Sequence, residues 1–353
     1  SFSLGVLALS YMSFSFAERK TKTKAEKKQH KKEIIDILKP TVHVGKESFG
    51  HQFFSFFWIN FISIYKHVTF RILFLFSIIL LISDLISGFE YFGLQSYPLT
   101  YIMTDSISGT SLFVMIILVF FSGELIWRDR DFRINEVVDA TPHSTLIPLF
   151  AKTLSLFSLT ISLHLFFVFM VVCYQLIKGY FQIEFSTYFF HFLYNSFPLY
   201  LVTSVTLVAV QVIVNNKYLG YMVSVIIILG LDIILSIMDI QSNMLSYLGS
   251  PYLIYSDMNG FGPSNVGVFW FNTYWIIGAF FLLIISGVFW ARGSVTSIKE
   301  RMRFKQGKLN KRYLMLVSIV GVVWVVLAVF VYYNTQILNS YKSSDALEKL
   351  AVN

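Results

Sequence analysis

Seven stretches of this chain are each long and apolar enough to cross a bilayer, which takes about 20 predominantly apolar residues. They lie at roughly 69–89, 107–127, 146–177, 188–214, 218–238, 271–291 and 313–333. Lipid offers no hydrogen-bond partners, so each crossing segment must satisfy its own backbone, as a helix does. The expected fold is therefore all-α, a polytopic transmembrane helix bundle. Composition agrees: 56% of the 353 residues are hydrophobic and 14% charged, against roughly 25% charged in soluble domains.

The formal net charge of +8 would suggest a nucleic-acid partner in a soluble protein. Here the positive residues fall in short blocks between apolar runs, so membrane topology accounts for them and no nucleic acid is expected. Ten precede the first span, between Arg19 and Lys46. Arg128, Arg130 and Arg133 follow the second, Lys217 follows the fourth, and eight lie between the sixth and seventh, from Arg292 to Arg312. If these loops share one side, the spans alternate without violation, and 25 of the 28 Lys and Arg residues lie on that side, counting Lys66, Arg71 and Lys152 near helix ends. Only Lys178, Lys342 and Lys349 fall opposite. By the positive-inside rule the basic side is cytoplasmic and the C-terminus extracytoplasmic. Cys173, the single cysteine, lies in an apolar run, can form no internal disulfide, and reads as a small buried hydrophobe.

The remaining segments divide the chain further. Residues 1–16 read as the end of a preceding, truncated transmembrane helix, so the chain is expected to be a segment of a longer protein. Residues 17–50 form a basic cytoplasmic linker, and HQFFSFFWINFISIYKH (51–67) mixes Gln, Asn and His with aromatics as an interfacial helix does. Residues 294–312 form a second basic linker, 313–333 the seventh span, and 334–353 the start of an extracytoplasmic region. The loop at about 239–270, rich in Gly, Pro and aromatics, is too apolar for a free loop and predicts short helices dipping into the outer membrane surface.

The most informative segment follows the second span: GELIWRDRDFRINEVVDATPHSTLIPLFAKTLS (123–155). Arg128, Asp129, Arg130, Asp131 and Arg133 crowd the membrane edge. Glu136 to Ala140, with Asp139, reads as a short amphipathic helix stopped by Pro142, and Lys152 enters the next span. A plain solvated loop with an arginine stop signal would look similar. A short helix held rigidly between two spans is also a natural lever.

This pattern resembles the coupling-helix region of ABC-2 type transporter permeases, and the order of elements over residues 51–293 is similar as well: an interfacial helix, six spans and an apolar loop before the sixth. WRDRDFRINEVVDATP (127–142) and YSDMNGFG (255–262) resemble, more narrowly, a bacterial subgroup in which two permease halves are followed by an extracytoplasmic gluzincin-type zinc aminopeptidase. The resemblance implies an ABC-2 exporter-like six-span unit plus one extra span in the bacterial cytoplasmic (inner) membrane. It implies an ATPase-coupling segment carrying Arg128, Asp129, Arg130, Arg133, Glu136, Asp139 and Pro142. Its partners would be a separate ABC ATPase subunit, a second permease half or a second copy, and the lipid bilayer.

No H-E-x-x-H and no G-x-x-x-x-G-K-[ST] occurs in the sequence, so neither the peptidase zinc site nor a P-loop lies on this chain. No enzymatic activity and no cofactor are expected here, with ATP bound on the partner subunit. Among polar residues in the apolar runs, Asp84 and Glu124 read as interface-proximal rather than as a proton relay or substrate contact. Asp232 lies deeper, open between a functional role and helix packing. His164 reads as a neutral hydrogen-bonding residue. The competing reading of the whole chain is a multi-span anchor for an extracytoplasmic peptidase, without transport.

Overall fold

In a computed structural model, described over residues 49–87, 90–91, 94–95, 97–140, 144–238, 242–253, 255–256, 258–262, 264–291 and 311–339, the chain is an all-α polytopic bundle. Residues 1–48, the stretch holding Pro142, the linker to residue 310 and everything after 339 lie outside this description. Among the described residues, seven helices are long and apolar enough to cross a membrane: Val68–Ser87, Thr100–Asp131, Leu146–Ile177, Phe185–Val214, Lys217–Ile237, Ser264–Phe289 and Tyr313–Leu338, called spans 1 to 7 below.

The expected spans and these helices correspond one to one, with differences at the ends. Spans 2, 4 and 6 begin earlier than their apolar runs, at Thr100, Phe185 and Ser264, because polar residues such as Asp105, Asn265 and Ser264 continue the helices beyond the apolar core. Span 2 is broken at Thr110, which caps both Thr100–Gly109 and Ser111–Asp131. Its amide (3.1 Å) and its hydroxyl (2.6 Å) both donate to the Ile107 carbonyl, holding the tightened turn. Short π-helical turns occur in span 4 (Phe192–Ser196), span 5 (Ile226–Gly230) and at the end of span 7 (Tyr333–Leu338). A two-residue hairpin, Glu90–Tyr91 with Leu94–Gln95, follows span 1.

The segment expected to be interfacial, called the interfacial helix below, is a helix, Phe49–Lys66, joined to span 1 across His67. It packs along span 3: Ser155 Oγ donates to the Phe57 carbonyl (3.0 Å), and Tyr65 hydrogen-bonds Ser162. The His67 ring stands edge-on to Phe121 (5.6 Å between centroids), fixing the corner.

Span 4 is the centre of the bundle, with 72% of its apolar window buried, against 11% in span 5 and 6% in span 7. Its inward residues include Thr203, Ser204, Thr206 and Ala209, small enough for neighbouring backbones to approach closely. Half-buried Cys173 lies in span 3.

The loop expected to carry short helices does not do so among its described residues. The described residues between 242 and 262 run through turns, and Leu248, Gly260 and Gly262 adopt positive φ (58°, 58° and 52°), which interrupts any helix. Tyr247 stands edge-on to Trp275 of span 6 (5.9 Å), beside Thr203 and Thr206, and the Trp275 indole donates to the Gly249 carbonyl (3.2 Å). The loop is thus pinned to the bundle by aromatic packing, which accounts for its apolar composition.

Span 7 docks on span 6 through two glycines. A Cβ at Gly278 would meet Trp324 Nε1 at 2.6 Å, and one at Gly321 would meet the Phe281 ring at 2.9 Å. Gly278→Ile is expected to cost about 1–3 kcal/mol by forcing these helices apart. The measurement is disulfide cross-linking between engineered cysteines at Trp270 and Phe330, whose rings lie 4.7 Å apart across the same two spans and which leave Trp324 in place. Undiminished cross-linking in the Gly278→Ile background would show that the close approach is dispensable.

Candidate functional site

The charged loop after span 2 builds a network at one end of the bundle. Span 2 stops at Phe132, whose amide donates to the Arg128 carbonyl (3.0 Å). Arg133 then takes a left-handed conformation (φ 57°), and the Ile134 amide returns to the Asp129 carbonyl (2.9 Å). This αL closure satisfies helix-end carbonyls and turns the chain sharply. The short helix Asn135–Ala140 follows at once, matching the amphipathic helix expected there.

Each charged residue of the last turn of span 2 has a partner on another element. Asp129 Oδ2 accepts from Lys152 Nζ of span 3 (2.8 Å), which also donates to the Leu125 carbonyl (2.6 Å) and stands 5.9 Å from the Trp290 ring. Lys152 is 1% exposed, so Asp129 is what makes a buried ammonium tolerable there. Arg128 donates to Asn60 Oδ1 (3.0 Å) and to Ser63, both on the interfacial helix. Arg130 lies over the Trp127 ring (4.7 Å), donates to Asn215 Oδ1 (2.7 Å), and is attracted electrostatically by Asp139 and Asp129.

Asn215, left-handed (φ 52°), ends span 4, and Asn216 caps span 5 by accepting from the Tyr218 and Leu219 amides (3.1 Å each). That turn aims Lys217 at two carboxylates of span 2, Glu124 (3.0 Å) and Asp131 (2.8 Å). Glu124 is therefore one limb of an ion-pair triad between spans 2 and 5.

A crevice of about 40 Å3 remains between Arg130, Asp139, Lys152 and Trp290. That is room for little more than a water molecule or two.

The network ties together the interfacial helix, spans 2 and 3 and the turn between spans 4 and 5, and reaches Trp290 just past span 6. Six described residues of the loop outside the network are exposed: Phe132, Arg133, Ile134, Glu136, Val137 and Ala140. Phe132 and Val137 are 70% and 72% exposed, beside charged groups and outside the apolar spans. Exposed apolar groups ringed by charge are typical of a surface that meets another protein.

The other singled-out residues lie apart from this network. Asp84 is exposed near the opposite end of span 1. Asp232 is exposed in span 5, flanked by exposed Ile233 and Ile234. His164 is buried in span 3, its Nδ1 at 3.5 Å from the Tyr200 hydroxyl and its ring 4.9 Å from Phe192, a core position among aromatics. Near the π-helical turn, His191 and Asn195 of span 4 meet Ser108 of span 2 at 3.3 and 3.4 Å and each other at 3.2 Å. Asn60, Asn215, Lys217 and Trp290 complete the charged network although no single segment of sequence marks them as a group.

No known protein family, curated protein or solved structure matches the chain. Its likeness to ABC-2 permeases rests on the motifs quoted above.

Proposed function

We propose that the chain is a permease subunit of an ATP-driven ABC-2 type transporter and couples to a separate ATPase through the helix at about 128–142. The observation that carries this reading is the pairing of a rigidly anchored loop with an exposed apolar tip. Arg128, Asp129 and Arg130 fix the loop to three other parts of the bundle. Phe132 and Val137 face outward. A partner that moves this tip moves spans 2 and 3 together, because the loop joins them and the Lys152–Asp129 pair locks their ends.

In this reading the basic loops are cytoplasmic, the C-terminus is extracytoplasmic, and the membrane is the bacterial inner membrane. A second permease half or a second copy completes the transporter, and the mobile cargo path lies between the two. An anchor without transport would need one span and gives no role to an apolar tip on the charged loop.

The geometry also selects the residues for the test. Charge reversal at Arg128 or Arg130 would break the bundle's own contacts, so the informative change is Phe132→Asp with Val137→Asp. Co-purification of the P-loop ATPase that cross-links to a photoreactive side chain at Val137 is expected to fall about tenfold or more, the loss of two apolar anchors of roughly 1 kcal/mol each. The unfolding midpoint should stay within error, since both side chains are exposed. ATPase recovery equal to that of the unaltered protein would overturn the coupling proposal.

A further inference from the structure

At the end opposite the charged network, two connections, between spans 3 and 4 and between spans 5 and 6, converge on a cleft of about 870 Å3. Its walls include Glu184 and Thr187 at the start of span 4, Tyr255, Phe261 and Gly262 from the loop before span 6, and Asn265 in the first turn of span 6. Glu184 is the one charged side chain among its described lining residues.

The carboxylate is positioned. Thr187 Oγ1 (2.8 Å) and the Tyr255 hydroxyl (3.0 Å) both donate to Glu184 Oε2, which leaves Oε1 for a ligand. Tyr255 is itself fixed: it stacks on Tyr101 (5.5 Å, 21°) and stands edge-on to Phe261 (5.2 Å, 67°). The segment YSDMNGFG, which the coupling network does not use, makes this arrangement. Ser256 pairs with Gly260 across a tight turn (2.8 Å), and Gly260 and Gly262 supply its left-handed conformations. Asn265 Oδ1 is a buried acceptor with no donor among the described residues.

We propose that this cleft binds a primary ammonium group carried on an apolar or aromatic body. A carboxylate oxygen and an orphan amide oxygen both call for N–H donors, and a hydrogen bond between charged partners is the strong kind. Tyr255 and Phe261 offer the ring faces that a cation prefers and apolar walls for the body that carries it. The volume lies within the usual range of small-molecule sites, roughly 300–1,000 Å3. The inference goes beyond the coupling proposal and does not depend on it.

The test uses the full chain in lipid nanodiscs, with phenylalanine amide and N-acetylphenylalanine amide as probes in titration calorimetry. The two share the benzyl side chain and the carboxamide, and differ in whether the amine is free and charged or acetylated and neutral. Phenylalanine amide should bind at least about tenfold more tightly, the value of one charge-assisted hydrogen bond. Glu184→Gln should remove that preference, and Tyr255→Phe, which frees the carboxylate but keeps the ring, should weaken binding about threefold. Equal affinity of the unaltered protein for the two probes would overturn the proposal, as would a Glu184→Gln variant that still prefers the free amine. The probe comparison needs no substitution, so it decides the matter even if a variant fails to fold.

Discussion

Asp129→Ala should lower the free energy of unfolding by about 3–5 kcal/mol, as breaking a buried ion pair from one side does. The Lys152 ammonium is 1% exposed and its two hydrogen bonds go to Asp129 and to the Leu125 carbonyl. Without the carboxylate, one main-chain oxygen is left to replace its hydration. Removing both charges in Asp129→Ala/Lys152→Met should recover most of the loss, because a methionine fills similar space at no desolvation cost. Unfolding in graded SDS, followed by tryptophan fluorescence, reads both variants. A double variant as unstable as Asp129→Ala alone would mean that the packing of the two side chains, rather than the unpaired charge, sets the effect.

Lys217→Glu should have the next largest effect, roughly 2–3 kcal/mol, because three carboxylates would then converge where one ammonium now joins two. The Lys217 side chain is 23% exposed, so solvent screens part of the repulsion and the effect stays below that at Asp129. Two readouts separate repulsion from simple loss of shape. Raising the salt from about 0.1 to 1 M shortens the screening length from about 10 to 3 Å and should reduce the defect. Adding Glu124→Lys should restore an opposite-sign pair and with it much of the stability. A defect indifferent to both would place its origin in the cap at Asn216 rather than in the charges.

The spans were legible because an apolar run of the right length has one stable outcome in lipid. Positions 146–177 show this, where the run and the helix share both ends. Helix ends made of polar residues were not legible: Thr100 to Ser106 continue span 2 although hydropathy fades there. Nor does periodicity say which helix faces which. Lys217 counts in sequence as one more cation on the basic side, and its role emerges only when the turn at Asn215 and Asn216 brings it to Glu124, 93 positions earlier. Lys152 and Asp129 were each marked, one as an intramembrane charge and one as part of the loop, without a signal that they form a pair. The interfacial helix was marked by its aromatics, while Asn60 within it became meaningful as the acceptor for Arg128. Glu184 had no local motif, since its partners come from Tyr255 and Thr187 and only one of them is a near neighbour in sequence.

Asp232 bears on how the molecule sits in its solvent. Span 5 is free of charge over residues 218–231, a length that rises about 21 Å along a helix, against a hydrocarbon core of about 30 Å. An exposed carboxylate at that depth draws polar headgroups and water toward it, so the leaflet beside span 5 has to dip unless protein covers the residue. Spans 2 and 3, at 32 residues each, are long enough to cross a full bilayer with tilt to spare. Neighbouring spans of the bundle therefore favour different membrane thicknesses, and bilayer composition becomes a force acting on the relative tilt of its helices.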